Sequence, residues 1–200
     1  VEIFNEFAKV MRDKGWNNVD GFIEAGISKG KVLEIGPGPG LIGLEWLKKT
    51  QNAGVTALEI SSTMIQIAKK NAEEYGFSNK VQYVNGNALD MPFEAGSFDG
   101  VFSNGSMHEW EKPVKVFNEI YRVLKPGGIF CISDMRRDVS SLIVKMIYVS
   151  TKPKEIRPGF LTSLHAAYTV NEMTELLRNT EFQDFKVEKE FFGLKVTGKK

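Results

Sequence analysis

Three glycines and two acidic residues are the first group in this chain whose types and spacing could do chemistry. Gly36, Gly38 and Gly40 follow an apolar run that contains Glu34, and they precede a helical pattern. Glycine has no β-carbon, so a ligand can approach the backbone closely, and a helix start offers free N–H groups and a partial positive charge. Glu59 ends the next apolar run, where a carboxylate can accept both ribose hydroxyls of an adenosine. A glycine turn with no ligand is the alternative interpretation.

His108 is the second candidate, because an imidazole titrates near neutrality and can take a proton or orient a hydroxyl. The alternative is a surface histidine, or one that pairs with Glu109. Trp110 either walls a pocket or covers the core. The other candidate substrate residues are Trp16, Arg136, Tyr148, His165 and Tyr168, together with Arg137, Arg157 and Phe160. The two adjacent arginines could bind a substrate carboxylate or be solvated charges at a helix end.

The composition argues against several classes of protein. The chain has 200 residues and a net charge of +1, so no global field attracts nucleic acid or an anionic membrane. No apolar run approaches the roughly 20 residues of a membrane helix, and residues 1–7 show no signal-peptide pattern. Cys131 is the single cysteine, which excludes an internal disulfide and a cysteine-based zinc cluster. We therefore expect a soluble cytoplasmic domain, a monomer or homodimer, with no nucleic-acid, membrane or metal partner.

The elements that must position these residues alternate between strand and helix. Apolar runs predict strands over 31–35, 55–60, 81–84, 99–103 and 128–133, and helical patterns cover 41–49, 64–75 and 114–124. Ser61 or Ser62 is expected to cap the second of these helices. Strict alternation favours a parallel sheet with helices on both faces.

The two ends of the chain follow other patterns. Residues 2–25 are predicted to form two helical pieces that pack against the sheet or cover the ligand site. Residues 139–149 are an apolar helix candidate, and 151–168 is predicted to be a loop. Thr169 and Glu172 form a capping-box pattern for a helix to 178. Residues 182–190 and 192–197 are expected to form an antiparallel hairpin.

Residues 38–43 also satisfy the G-x-G-x-x-G fingerprint of dinucleotide-binding proteins, so an NAD-dependent oxidoreductase is a second candidate. Glu34 counts against it, because a carboxylate beside the loop suits an ammonium and disfavours a pyrophosphate. The chain also lacks a second domain for a hydride acceptor.

A further motif follows the third predicted strand, Gly-Asn-Ala-Leu-Asp-Met-Pro-Phe at 86–93, and Leu-Lys-Pro-Gly-Gly stands at 124–128. With Val-Leu-Glu-Ile-Gly-Pro-Gly-Pro-Gly at 32–40 and Glu59, these motifs resemble the class I S-adenosylmethionine-dependent methyltransferases over about residues 30–133. The small-molecule group with a terminal antiparallel hairpin is the most similar. The resemblance implies an α/β fold with a Rossmann-like seven-stranded sheet, mostly parallel. Within one domain we expect a helical cap at 1–30, a cofactor-binding core at 31–133, and a substrate lid and closing hairpin at 134–200.

The same resemblance implies S-adenosyl-L-methionine as cofactor and S-adenosyl-L-homocysteine as product. Glu34 and the glycine loop would hold the methionine end, and Glu59 would take the ribose hydroxyls. Asn87 stands where the family usually has Asp and would reach the adenine amino group, since its carbonyl can accept that hydrogen bond. The implied cofactor residues are Glu34, Gly36, Pro37, Gly38, Gly40, Glu59, Ile60, Ser61, Met64, Asn87, Ala88, Leu89, Ser103 and Asn104.

The expected activity is in-line methyl transfer to a small-molecule acceptor at O, N or C, with residues 146–168 as the acceptor lid. Ser-Asn-Gly-Ser at 103–106 replaces the Asn/Asp-Pro-Pro-aromatic motif of amino-directed DNA and protein-glutamine enzymes. Cys131 lacks the preceding proline of the cytosine C5 enzymes. A cofactor-binding protein without transferase activity, acting with a partner, is the remaining alternative. The residues leave open the acceptor and the use of a general base.

Overall fold

The computed structural model describes residues 2–15 and 17–200. Over these residues, one seven-stranded sheet has the order β3-β2-β1-β4-β5-β7-β6. β1 to β5 pair with one another in parallel, and β7 runs antiparallel to both β5 and β6. The predicted sheet and its closing hairpin are therefore confirmed. The strands are β1 Gly30–Ile35, β2 Ala53–Glu59, β3 Val81–Asn85, β4 Phe98–Asn104, β5 Leu124–Met135, β6 Asp184–Lys189 and β7 Gly193–Lys199.

The helices predicted over 41–49, 64–75 and 114–124 are present, and further helices lie towards both ends of the chain. In chain order, the α-helices of the described residues are α1 Glu2–Asp13, α2 Val19–Glu24, α3 Leu41–Lys49, α4 Ser62–Glu74, α5 Pro113–Val123, α6 Ser141–Ser150, α7 Arg157–Ala166 and α8 Val170–Leu177. Ser61 caps α4, since its hydroxyl accepts the Met64 N–H at 3.3 Å. The capping box of Thr169 and Glu172 at α8 is also present. None of the helices in the described residues has the length and apolar character that crossing a membrane requires.

Alternate residues of the central strands face two separate apolar clusters. Leu33 lies in the cluster that includes α5 and α8, whereas Val32 lies in the cluster that includes α2 and α3. Phe117 and Phe130 pack edge to face on the first side, and Phe22 stacks on Phe102 on the second. Helices thus cover both faces of the sheet, as the alternation of strands and helices predicts.

The segment 151–168 differs from its prediction as a loop. It contains a 3-10 helix, Lys154–Ile156, followed directly by α7. Pro158 stands in the first turn of α7, where a missing backbone N–H breaks no helical hydrogen bond. Proline and glycine therefore mark the start of a helix here rather than its interruption.

The fifth strand also begins earlier than its predicted start at 128. Lys125 to Gly128 continue β5 because the last residue of the chain pairs with them: Gly127 N–H donates to the Lys200 carbonyl at 2.8 Å, and Lys200 N–H donates to the Gly128 carbonyl at 3.0 Å. This pairing depends on the return of β7 and has no local signal.

Candidate active site

The glycine loop joins the end of β1 to the start of α3. Gly36, Gly38 and Gly40 have φ of +63°, +52° and +77°, the left-handed region that favours glycine. A β-carbon on Gly36 would lie 2.7 Å from the Ser106 β-carbon, so space as well as backbone angle requires glycine there. The loop is a tight turn at a helix N-terminus, as predicted.

Glu59 ties this loop to the neighbouring strand. Its carboxylate accepts the Gly38 N–H at 3.1 Å through Oε2 and the Ser61 N–H at 2.9 Å through Oε1. The side chain sits at the C-terminal end of β2 and the residue is 8% exposed. Each carboxylate oxygen can accept more than one hydrogen bond, so Glu59 can hold the loop and still accept a hydroxyl.

Glu34 lies beneath the first turn of α3. Its Oε1 accepts the Gly43 N–H at 3.2 Å in a buried environment. Burial raises the pKa of Glu34 to about 8, and the nearby Glu59 carboxylate adds to the rise, whereas the Gly43 hydrogen bond opposes it. The carboxyl thus supports the loop from inside, and its predicted contact with the methionine end of a cofactor stays a prediction.

The residues predicted to surround an adenine lie near Glu59. Ile60 is 69% exposed, and Asn85 Nδ2 donates to the carbonyls of Glu59 and Ile60 at 2.9 Å each, which fixes the turn after β2. Asn87 Oδ1 accepts the Leu89 N–H at 2.9 Å, so this side chain also orders its own turn. Pro37 is buried in the glycine loop, Ser61 and Met64 are half-buried at the start of α4, and Ala88 and Leu89 pack against the core.

Ser103 makes hydrogen bonds within the protein. Its side chain is fully buried and donates a hydrogen bond to the Ile35 carbonyl at 2.7 Å, and its predicted contact with the cofactor stays a prediction. Its hydroxyl lies 2.6 Å from that of Ser106, which in turn packs against Gly36. Ser103 and Ser106 therefore brace the glycine loop from the end of β4, while Asn104, the last residue of β4, is half-buried.

A buried pair formed by His108 and Asp134 lies at the same edge of the sheet. His108 Nδ1 is 3.0 Å from both carboxylate oxygens of Asp134, and the His108 backbone N–H donates to Oδ2 at 2.8 Å. The Asp134 side chain is 0% exposed. Burial lowers the pKa of His108, but the hydrogen bond and charge of Asp134 outweigh it, so the pKa is raised overall. The His108 side chain is 6% exposed, so the alternative of a surface histidine is wrong; Glu109 is a second and more distant partner, with Oε1 3.9 Å from Nε2.

Sequence reasoning missed Asp134. It stands near the end of β5, and β5 pairs with β4 so that Ser133 lies opposite Asn104. Asp134 lies near the end of the strand beside β4, and His108 follows β4. This arrangement would have indicated the pair, but only once the order of the strands was known.

Arg136 and Arg137 are bound to protein partners. Arg136 is buried, and its guanidinium donates to Asp138 at 2.6 Å and to the carbonyls of Glu190 and Phe191 at 3.3 and 3.4 Å. Arg137 donates to the Ala167 carbonyl at 2.6 Å and pairs with Glu172. Arg136 thus joins the end of β5 to the hairpin, and its predicted substrate contact stays a prediction.

The remaining substrate candidates are spread over several environments. Trp110 packs edge to face on Phe117 at 5.6 Å, so it covers the core. Tyr168 is half-buried against the same cluster, and burial raises its pKa. The Arg157 guanidinium stacks on Tyr148 at 5.5 Å, and His165 on α7 is exposed. Trp16 lies outside the described residues.

The first helix covers the glycine loop. The Phe4 ring would lie 3.3 Å from a β-carbon on Gly38, and Asn71 Nδ2 donates both to Asn5 at 3.0 Å and to the Pro39 carbonyl at 2.8 Å. α1 also contacts α3 and the 3-10 helix Lys154–Ile156. By contrast, α2 buries Val19 and Phe22 in the core. Of the two roles considered for residues 2–25, α1 therefore covers the candidate ligand site and α2 packs.

Within residues 2–15 and 17–200, no group of three His, Cys, Asp or Glu side chains could hold a metal ion.

Comparison with known proteins identifies the family. Residues 33–132, half of the 200-residue chain, match the family described as "Methyltransferase domain". The chain therefore belongs to this methyltransferase family, and the resemblance to class I S-adenosylmethionine-dependent methyltransferases is confirmed. A SAM-dependent methyltransferase from Aquifex aeolicus has the same fold, with a TM-score of 0.72 at 20% identity over 90% of this chain and 87% of that one.

Two curated relatives differ in the atom that their names say is methylated. The erythromycin 3''-O-methyltransferase of Saccharopolyspora erythraea is 35% identical over 56% of this chain and 37% of its own length. A sterol 24-C-methyltransferase of Gibberella zeae is 42% identical over 52% of this chain and 28% of its own length. The chain thus spans about a third of the length of these relatives.

Proposed function

We propose that this chain transfers a methyl group from S-adenosylmethionine to a small-molecule acceptor. The observation that carries the proposal is the position of Glu59, whose carboxylate bridges the glycine loop and the start of α4 at the C-terminal end of β2. Ligands of open α/β sheets bind outside the carboxyl ends of the strands, where this carboxylate lies. The relatives named for methylating a macrolide and a sterol support an acceptor of small-molecule size.

The residues present fit an adenosyl cofactor. The exposed Ile60 offers an apolar surface beside Glu59, which suits an adenine next to its ribose. The N-terminus of α3 follows the glycine loop directly and carries a partial positive charge suited to a carboxylate. When bound, the cofactor supplies a methyl group activated by a positively charged sulfur.

In this proposal, the chain's own task is to hold, align and shield. The Glu59 carboxylate would hold the ribose, and Ser103 and Ser106 keep the glycine loop against the end of β4. α1 lies over the loop with Phe4 facing Gly38, and it would shield the bound cofactor from water and so preserve the alignment of the acceptor and the methyl group. The family match favours this function over the oxidoreductase alternative.

Thermal unfolding with S-adenosylhomocysteine and NAD in parallel tests the proposal. A ligand at 100 times its dissociation constant adds about 2.7 kcal/mol, which raises the midpoint of a domain of this size by roughly 5–10 °C. We expect that shift with S-adenosylhomocysteine, and its loss in Glu59→Gln but not in the exposed control Glu73→Gln. A shift with NAD and none with S-adenosylhomocysteine would refute the proposal.

A further inference from the structure

We propose that Asp134 positions His108 as the general base of the reaction and that the methyl acceptor is a hydroxyl compound. This inference rests on the proposed methyl transfer and adds to it the acceptor class and a residue that acts through another. The supporting observation is the geometry of the buried pair at the ends of β4 and β5.

The buried carboxylate of Asp134 is surrounded by N–H groups. Its carboxylate accepts the backbone N–H of His108 at 2.8 Å and that of Met135 at 2.7 Å, and it faces His108 Nδ1 at 3.0 Å. A carboxylate can only accept hydrogen bonds, so it suits a site surrounded by N–H groups. An ionised carboxylate against Nδ1 fixes the tautomer in which Nδ1 carries the proton, so Nε2 keeps a free lone pair.

The pair lies at the edge of the sheet that carries the glycine loop. His108 follows two residues after Ser106, which packs on Gly36 and bonds to Ser103 at the end of β4. β4 is the neighbour of β1, so the imidazole and the glycine loop share one edge of the sheet. α7 contacts the 3-10 helix Met107–Glu109 that carries His108.

The two charged side chains that face His108, Asp134 and Glu109, are both acidic. Asp134 approaches from β5, and Glu109 lies on the same 3-10 helix, with Oε1 3.9 Å from Nε2. Both acids favour the imidazolium, which is the form that His108 takes after it accepts a proton. Tyr168, beyond α7, interacts with Asp134. The site therefore stabilises the product state of a proton transfer to Nε2.

A hydroxyl acceptor makes the most use of such a base. A neutral hydroxyl must lose its proton as its oxygen bonds to carbon, whereas a free amine attacks with its lone pair and loses a proton afterwards. In the proposed step, the acceptor oxygen bonds to the methyl carbon while the carbon–sulfur bond breaks and its electron pair stays on sulfur. The hydroxyl proton moves to His108 Nε2 and later leaves to solvent.

Nuclear magnetic resonance of the histidine rings tests the positioning role without an acceptor. The chain has two histidines, so His165→Ala leaves His108 as the single imidazole signal. In that background we expect the Nδ1–H tautomer and a pKa above the ordinary value, and we expect Asp134→Asn to lower the pKa and mix the tautomers. Glu109→Gln, which removes the weaker partner, should shift the pKa less. An Nε2–H tautomer, or a pKa that Asp134→Asn leaves unchanged, would overturn the assignment.

Methyl transfer to matched acceptors tests the acceptor class. Phenols and alcohols are compared with the corresponding amines, using S-adenosylmethionine labelled in the methyl group. We expect transfer to the hydroxyl members, and a fall in kcat of about 10²–10⁴-fold in His108→Ala and Asp134→Asn with S-adenosylhomocysteine binding retained. The double variant should lose no more than the single ones, because the two residues act as a unit.

Amine methylation that survives in His108→Ala would overturn the acceptor class. A wild-type chain that methylates no acceptor of either kind would refute the proposed function, and the ring titration would still decide the role of Asp134.

Discussion

Replacing Glu34 by glutamine should make the folding stability of this protein less dependent on pH. The Glu34 carboxyl is buried under α3, and its pKa rises from 4.5 to about 8 in the folded chain, with burial as the main cause. Between these two pKa values the folded state binds a proton that the unfolded state does not. Stability from this group is therefore fully present below about pH 4.5 and is lost as the pH rises through about 8.

The size of the effect follows from the shift. Each unit of pH in this window costs the wild type about 1.4 kcal/mol of unfolding free energy, so about 3–4 kcal/mol is lost between about pH 5 and about pH 8. Glutamine copies the shape of the protonated carboxyl and keeps an oxygen for the Gly43 N–H. Glu34→Gln should therefore match the wild type at about pH 5 and exceed its stability at about pH 8.

Urea unfolding of both proteins across this range measures the difference. The exposed variant Glu73→Gln is the matched control, and its profile should run parallel to that of the wild type. If the free energies of unfolding of Glu34→Gln and the wild type differ by a constant amount from about pH 5 to about pH 8, the reasoning that burial raises the pKa of Glu34 is refuted.

Three further substitutions test other contacts of the site. Gly36→Ala should destabilise the folded protein by about 1–3 kcal/mol and abolish S-adenosylhomocysteine binding, because the new β-carbon would meet Ser106 at a backbone position with a left-handed φ. Urea unfolding measures the stability and calorimetry the binding, and normal binding would contradict the loop geometry. Asn71→Ala should remove the hydrogen bond that ties Asn5 of α1 to α4, so limited proteolysis should cut within residues 2–13 sooner; an unchanged cutting rate would show that this bond does not hold the helix. Thr169→Ala should cost about 1 kcal/mol as the capping box is lost, and Thr169→Ser should recover most of it in the same unfolding assay.

Regular patterns carried most of the fold prediction. Apolar runs bounded by glycine, and stripes at helical spacing, depend on local sequence, and β1, α3, α4 and α5 were predicted near their observed bounds for this reason. The cap at Ser61 and the capping box at Thr169 are also local, since cap and partner stand three residues apart. The loop predicted at 151–168 was wrong because proline has opposite meanings at the start and in the interior of a helix, and the packing of the chain decides between them.

The candidate site divides along the same line. The glycine loop and Glu59 could be located from local residue types, because a tight turn and a strand end each favour particular residues. The partner of His108 could not, since Asp134 is 26 residues away and reaches it through the pairing of β4 with β5. The same holds for the hydroxyl of Ser103, whose hydrogen bond to the Ile35 carbonyl of the neighbouring strand β1 has no local signal. Hydrogen bonds across strands depend on strand order and register, and these are properties of the whole sheet rather than of any one segment.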